Sequence, residues 1–283
     1  MSVITFYNED KNEAGQSMGA AAIASVFGIE RNYKILLISV EREDYKMEDA
    51  FFRPSRINLN SLFMGQNTAA TDATNGIEGL MRMFSSNRVD ADAIASYARP
   101  VLKDRLDVLL PLKSRSVEEF QNAAKFYSPI IDAANKYYDL VLVDMCKDVL
   151  PETKETIMNL SSLVVVGLNQ NSNSIKEYIK LKERDEKFRK NNVITALMKY
   201  DDASMFNAKN MARELKEKDL PLLVPYNIHF SDECSSGRIL DYLLKAHSLH
   251  FTDRPDGYFY STVKETVDRI DTLRQQVDYG LRT

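Results

Sequence analysis

Short apolar runs recur along the chain, at residues 3–7, 35–40, 107–111, 140–143, 163–168, 193–198 and 220–224. Most have no polar face, the pattern of strands buried on both sides of a parallel sheet. The segments between them read as helices. An Ala-rich helix runs from Ser17 through Ala24, and residues 76–84 have a helical pattern. Ser116 caps a helix beginning at Val117, with Glu119 completing a capping box, and the apolar positions Phe120, Ala124, Tyr127, Ile130 and Ile131 carry it past Pro129. A charged helix spans 172–190 and another about 206–218. In the tail, Val263, Val267, Ile270, Leu273, Val277 and Leu281 form a helical stripe.

Strands alternating with helices predict an α/β fold: a doubly wound, mostly parallel sheet flanked by helices. The boundaries expected are a domain over 1–255 and a C-terminal helical tail over 256–283, packed on its own domain or on a partner. Residues 42–75 are polar and without period, which reads as an interaction loop.

The 283 residues, 44% hydrophobic and 28% charged, suit one large domain with a substantial core. A formal charge of −4 argues against coating nucleic acid by bulk electrostatics. The chain shows neither an apolar stretch of about eighteen residues nor a signal peptide, so a cytoplasmic protein is expected. Cys146 and Cys234 cannot build a disulfide framework, and His247-x-x-His250 has no third ligand pattern beside it.

The candidate chemistry lies at the N-terminus. A strand, a polar loop ending in Gly15-Gln16-Ser17 and a helix of small residues follow the order of a phosphate-binding unit. In such a unit glycines turn backbone N–H groups toward phosphate, a Lys neutralises its oxygens, and a Ser or Thr ligates magnesium. Here Gln16 stands at the lysine position and brings no charge. Residues 140–143 end in Asp144, a strand-end carboxylate suited to a magnesium water shell.

Lys11-Asn12-Glu13-Ala14-Gly15-Gln16-Ser17 resembles the deviant Walker A pattern K-G-G-x-G-K-[ST] of the ParA/MinD-like ATPases, matching at Lys11, Gly15 and Ser17. The loop is a degenerate version of that pattern. Further matches follow in order: Glu41 at the second acid of the family's L-L-I-D-x-D strand, Tyr138-Asp139 ahead of the Asp144 strand, Lys199-Tyr200-Asp201 after the strand whose adenine-reading Asn is here Met198, and Pro225-Tyr226 in an I-P-Y-D-like segment. The resemblance covers residues 2 to about 250.

The resemblance implies ATP and magnesium as cofactors, with Lys11, Gly15, Gln16, Ser17, Met18, Lys199, Pro225 and Tyr226 at the nucleotide and Ser17 and Asp144 holding Mg²⁺ through it. Glu41 would help position the attacking water, and Lys11 would reach in trans to the phosphates of the second subunit of a homodimer. Three functions stay open. One is a positioning or scaffold protein, similar to TadZ-like localisation factors, with weak or absent hydrolysis, which as a dimer localises an unidentified protein partner or DNA. The second is an active partition ATPase that binds DNA weakly and non-specifically, for which the basic residues of 172–190 are the candidate surface. The third is a nucleotide-free interaction module. The tail lacks the basic excess of a membrane-binding helix, so membrane is not an expected partner.

Overall fold

The computed structural model describes residues 2–9, 15–42, 46–52, 76–85, 91–112, 114, 116–249 and 254–281. Its strands are β1 (Ser2–Tyr7), β2 (Ile35–Val40), β3 (Arg99–Leu102), β4 (Leu106–Leu109), β5 (Leu140–Met145), β6 (Leu163–Leu168), β7 (Val193–Tyr200) and β8 (Leu222–Pro225). They form one eight-stranded sheet in the order β3-β4-β2-β5-β1-β6-β7-β8. Every pairing is parallel except the edge pair β3–β4. The chain is an α/β protein with a doubly wound, mostly parallel sheet, as its apolar runs predict. β1, β2, β5 and β6 are buried along their whole length, which is why they lack a polar face.

One face of the sheet is covered by α1 (Gln16–Glu30), α2 (Lys46–Phe51), α10 (Ile228–Ser235), α11 (Ile239–His247) and α12 (Pro255–Asp278), whose buried residues share one core. The other carries α3 (Ile77–Ser85), α4 (Ala91–Tyr97), α5 (Val117–Ala124), α6 (Tyr127–Ala134), α7 (Pro151–Leu160), α8 (Ser172–Arg184) and α9 (Ala208–Leu215). α1 continues beyond the expected Ala24 to Glu30. Ala20, Ala21, Ala22 and Ala24 are all fully buried, because α1 is enclosed between the sheet and the helices outside it. Small side chains permit that close approach.

α12 lies along α1 and the edge strand β8. Phe259 stacks on Phe230 with ring centroids 4.5 Å apart, and Val263, Val267 and Ile270 are fully buried. Thr266 Oγ1 donates to the Leu223 carbonyl at 2.7 Å and accepts from the Leu223 N–H at 3.1 Å, covering an edge that would otherwise present bare backbone groups. No helix among the described residues is long and apolar enough to cross a membrane.

Several elements differ from the sequence reading. The helix beginning at Val117 breaks at Lys125-Phe126 into α5 and α6. Pro129 falls in the first turn of α6, where its missing N–H leaves no helical hydrogen bond unmade, so the break precedes it. The Ser116 cap stands: its Oγ accepts from the Glu119 N–H at 3.1 Å. The charged helix ends at Arg184, and a separate 3₁₀ turn spans Glu186–Arg189, capped by Asp185. Residues 46–51 of the expected interaction loop are helical, while 53–75 lie outside the described residues. β3 was not expected at all; it pairs back on β4 through a turn at Asp104, whose φ is 59°.

Candidate functional site

Asp144, the fifth residue of β5, lies in register with Phe6 of β1 and Ser39 of β2. Its carboxylate therefore leaves the centre of the sheet near the carboxyl ends of the strands, the region where ligands bind in open α/β folds. α1 starts there. Gly15 is its N-cap at φ 73° and ψ 20°, a left-handed conformation that glycine adopts without steric penalty. No acidic residue lies within the first turn of α1 itself; the carboxylates that meet its partial positive charge are Asp144 and Glu41, which reach Gln16 and Ser17 from neighbouring strands.

Gln16 turns inward and is 7% exposed. Its Nε2 donates to Asp144 Oδ1 at 2.6 Å and makes longer bonds to the Phe6 and Met145 carbonyls at 3.3 and 3.4 Å. Gly167 makes room for it, since a Cβ there would stand 3.4 Å from Gln16 Oε1. Ser17 Oγ donates to Glu41 Oε1 at 2.6 Å. Gly15, Gln16, Ser17, Glu41 and Asp144, chosen from sequence, thus meet in one place. Gln16 Oε1 and Ser39 Oγ, both buried, have no hydrogen-bond partner among the described residues.

Lys199 reaches the same place from β7. It has φ 58°, and the β7–β8 register shifts between Met198 and Tyr200. A Cβ on Gly15 would come within 2.7 Å of Lys199 Cε, so the lysine stem lies directly against the loop backbone. Met198 points the other way and is buried against Gly19, where a Cβ would meet its Sδ at 2.5 Å. Met18 packs against the core beneath α1. Pro225 is buried at the end of β8, and Tyr226 is 57% exposed with its N–H bonded to the Tyr200 carbonyl at 2.8 Å. Lys11 lies outside the described residues.

The start of the loop is anchored by an ionic cluster. Tyr7 Oη donates to Glu9, Arg184 pairs with Glu9 at 2.6 Å, and Lys154 Nζ donates to Tyr7 Oη at 2.9 Å. Burial raises the Glu9 carboxyl, but the bonds from Tyr7 and Arg184 with the nearby Lys154 charge outweigh it and hold the group below its usual range. Burial lowers the Lys154 ammonium. At the end of β5, burial first and the carboxylates of Glu41, Asp148 and Asp144 after it push the Cys146 thiol up to about 12, so it is no thiolate nucleophile.

The expected DNA surface over 172–190, which spans α8 and the 3₁₀ turn after it, is laced with ion pairs. Lys180 pairs with Glu177, Lys182 with Glu217, Arg184 with Glu9, Lys187 with Glu155 and Arg189 with Glu186. Among the described residues no group of three or more His, Cys, Asp and Glu side chains could hold a metal ion by itself.

Sequence reasoning missed Gly167 and Gly19, which admit Gln16 and Met198. A glycine inside the apolar run 163–168 is the signal that marks such a close approach.

No family model matches the sequence, and no curated protein matches it either. Solved structures do. The chain is similar to a ParA family ATPase from Chlorobium tepidum TLS, with a TM-score of 0.67 at 14% identity, covering 94% of this chain and 98% of that one. It is also similar to the septum site-determining protein MinD complexed with Mg-ADP from Pyrococcus horikoshii OT3, with a TM-score of 0.61 at 13% identity over 97% and 99% of the two chains. A putative plasmid partition protein from Borrelia burgdorferi B31 bound to AMPPNP gives a TM-score of 0.59 at 14% identity over 95% and 99%. At these identities the similarity establishes the fold.

Proposed function

Proceeding from the fold of the ParA and MinD ATPases, we propose that this chain is a nucleotide-binding positioning or scaffold protein with weak or absent ATP hydrolysis, acting as a homodimer to localise a partner complex. The observation that carries this reading is the 2.6 Å bond from Gln16 Nε2 to Asp144 Oδ1. An uncharged amide stands where the resemblance places the P-loop lysine, and it is held by the carboxylate assigned to magnesium.

The residues present fit Mg²⁺ and phosphate in part. Ser17 Oγ and the carboxylates of Asp144 and Glu41 are hard oxygen donors of the kind Mg²⁺ takes, and the orphaned Gln16 Oε1 and Ser39 Oγ mark unmet polar capacity beside them. The left-handed Gly15 and the N-terminus of α1 offer backbone N–H groups to an anion. Magnesium, when bound, would neutralise phosphate charge. What this chain's own residues omit is the lysine cation at position 16. A charge-assisted contact is roughly twice as strong as a neutral one, so phosphate is held weakly and charge developing during transfer is poorly stabilised.

The first test is binding of labelled ATP with Mg²⁺, read beside the oligomeric state with and without nucleotide. Binding that drives dimerisation, with slow turnover, supports the proposal. No binding up to millimolar ATP would leave a nucleotide-independent interaction module, a second reading favoured by the Gln16–Asp144 and Ser17–Glu41 bonds, which engage these groups with one another. The active partition ATPase is disfavoured by the uncharged Gln16, and the ion-paired α8 argues against its DNA surface.

A further inference from the structure

We infer that Lys199 supplies the positive charge that position 16 lacks, carrying an ammonium across Gly15 to phosphate oxygens at the N-terminus of α1. This rests on the proposal that the site binds a nucleoside polyphosphate, and it assigns the missing cation to another strand.

The geometry is specific. A Cβ built on Gly15 would lie 2.7 Å from Lys199 Cε, 3.0 Å from Cγ and 3.2 Å from Cδ. The whole stem therefore runs flat over the glycine that caps α1, and the ammonium lies one bond beyond Cε. A left-handed backbone at a non-glycine residue, φ 58°, and a shift in strand register aim the side chain there. Bulges of this kind re-aim single side chains next to functional sites.

Electrostatics gives the arrangement its meaning. The positive end of a helix repels a cation, and the first turn of α1 has no acidic residue to hold one. Among the described residues no hydrogen bond or ion pair engages the Lys199 ammonium, and the residue is exposed. The two carboxylates nearest that N-terminus, Asp144 and Glu41, already bond Gln16 and Ser17, so the lysine stem laid across Gly15 is complemented by an anion that bonds both the ammonium and the helix N–H groups. Gln16, one residue along, cannot provide the charge because its amide is committed to Asp144.

The test separates charge from packing. Binding of MgATP to the full chain is measured by calorimetry at low and high salt for the wild type, Lys199→Met, Lys199→Arg and the double variant Lys199→Met with Gln16→Lys. Lys199→Met keeps an unbranched stem over Gly15. The expected result is about tenfold weaker binding for Lys199→Met, with a shallower salt dependence, from loss of one charged contact. Lys199→Arg should bind within a few-fold of wild type, and Gln16→Lys should restore binding in the double variant. Wild-type binding with Lys199→Met unchanged in affinity and salt slope overturns the inference while leaving the proposed function standing. A wild type that binds no nucleotide removes both. Thermal melting without nucleotide shows whether each variant is folded; if Lys199→Met is not, the comparison of Lys199→Gln with Lys199→Arg decides in the same way.

Discussion

Gln16 and Asp144, 128 residues apart, are joined by a 2.6 Å hydrogen bond from the first residue of α1 to the end of the central strand β5. The bond fills the position of a charged contact with a neutral one. Replacing Gln16 by Lys sets an ammonium beside Asp144 and the α1 N-terminus, and is expected to tighten MgATP binding about tenfold, the effect of one charged hydrogen bond. Calorimetry checks the affinity and phosphate release checks turnover. Restored turnover would mean that the remaining machinery is intact and only the charge was lost; tighter binding without turnover would place further damage in the loop or at Glu41.

The contact between Gly19 and Met198 makes a second prediction. Alanine is better than glycine in a helix by about 1 kcal/mol. At Gly19 its Cβ would stand 2.5 Å from the Met198 sulfur, and Met198 is 1% exposed with neighbours on every side. Overpacking of that kind costs about 1–3 kcal/mol. Gly19→Ala should therefore destabilise the protein in urea unfolding, and the same substitution should cost less in a Met198→Ala background, where the clash is gone. A stabilised Gly19→Ala would show that Met198 moves aside freely.

The sequence makes the inner strands legible because they are buried on both faces, which forces unbroken apolar runs such as 35–40 and 163–168. That Ser17, Glu41 and Asp144 come together was legible because each is a polar group at the end of an apolar element, and strand ends in a parallel sheet converge. β3 was not legible: Arg99 and Pro100 give an edge strand no apolar signature, and its pairing depends on the Asp104 turn. The Gln16–Asp144 bond was not legible either, since a substitution in a motif says what is lost and tertiary packing decides what the new side chain does.

Asp256 supplies a pH prediction. It accepts from Asn227 Nδ2 at 3.0 Å and Tyr242 Oη at 2.9 Å and contacts His229 Nδ1 at 3.1 Å, tying the start of α12 to α10 and α11. Burial raises its carboxyl, but these bonds and the His229 charge together hold it below its usual value. Because the folded value is depressed, the stabilisation is fully present above the unfolded value of about 3.9 and is lost as pH falls through the folded one. Asp256→Asn should cost about 1 kcal/mol near neutrality. In urea unfolding the gap between wild type and variant should close as the pH falls below the ordinary carboxylate range; a gap that is constant with pH would assign the loss to shape rather than charge.

The last prediction concerns α12. Phe259, Val263, Val267 and Ile270 are fully buried in the core that α1 shares, and Arg31 pairs with Asp268 and Asp271 while Arg274 holds Asp271 at 2.6 Å. Each fully buried large apolar side chain contributes about 1.5–3 kcal/mol, so these four together supply on the order of 10 kcal/mol, comparable to the whole stability of a domain of about 5–15 kcal/mol. Ending the chain at Arg254 also uncovers Leu223 on the edge strand β8, which Thr266 now covers. The shortened protein is expected to lose cooperative unfolding and to aggregate, measured by circular dichroism melting and light scattering. A truncated chain that melts cooperatively within a few degrees of the full one would mean that residues 255–281 are an attached tail, free to serve a partner without cost to the fold.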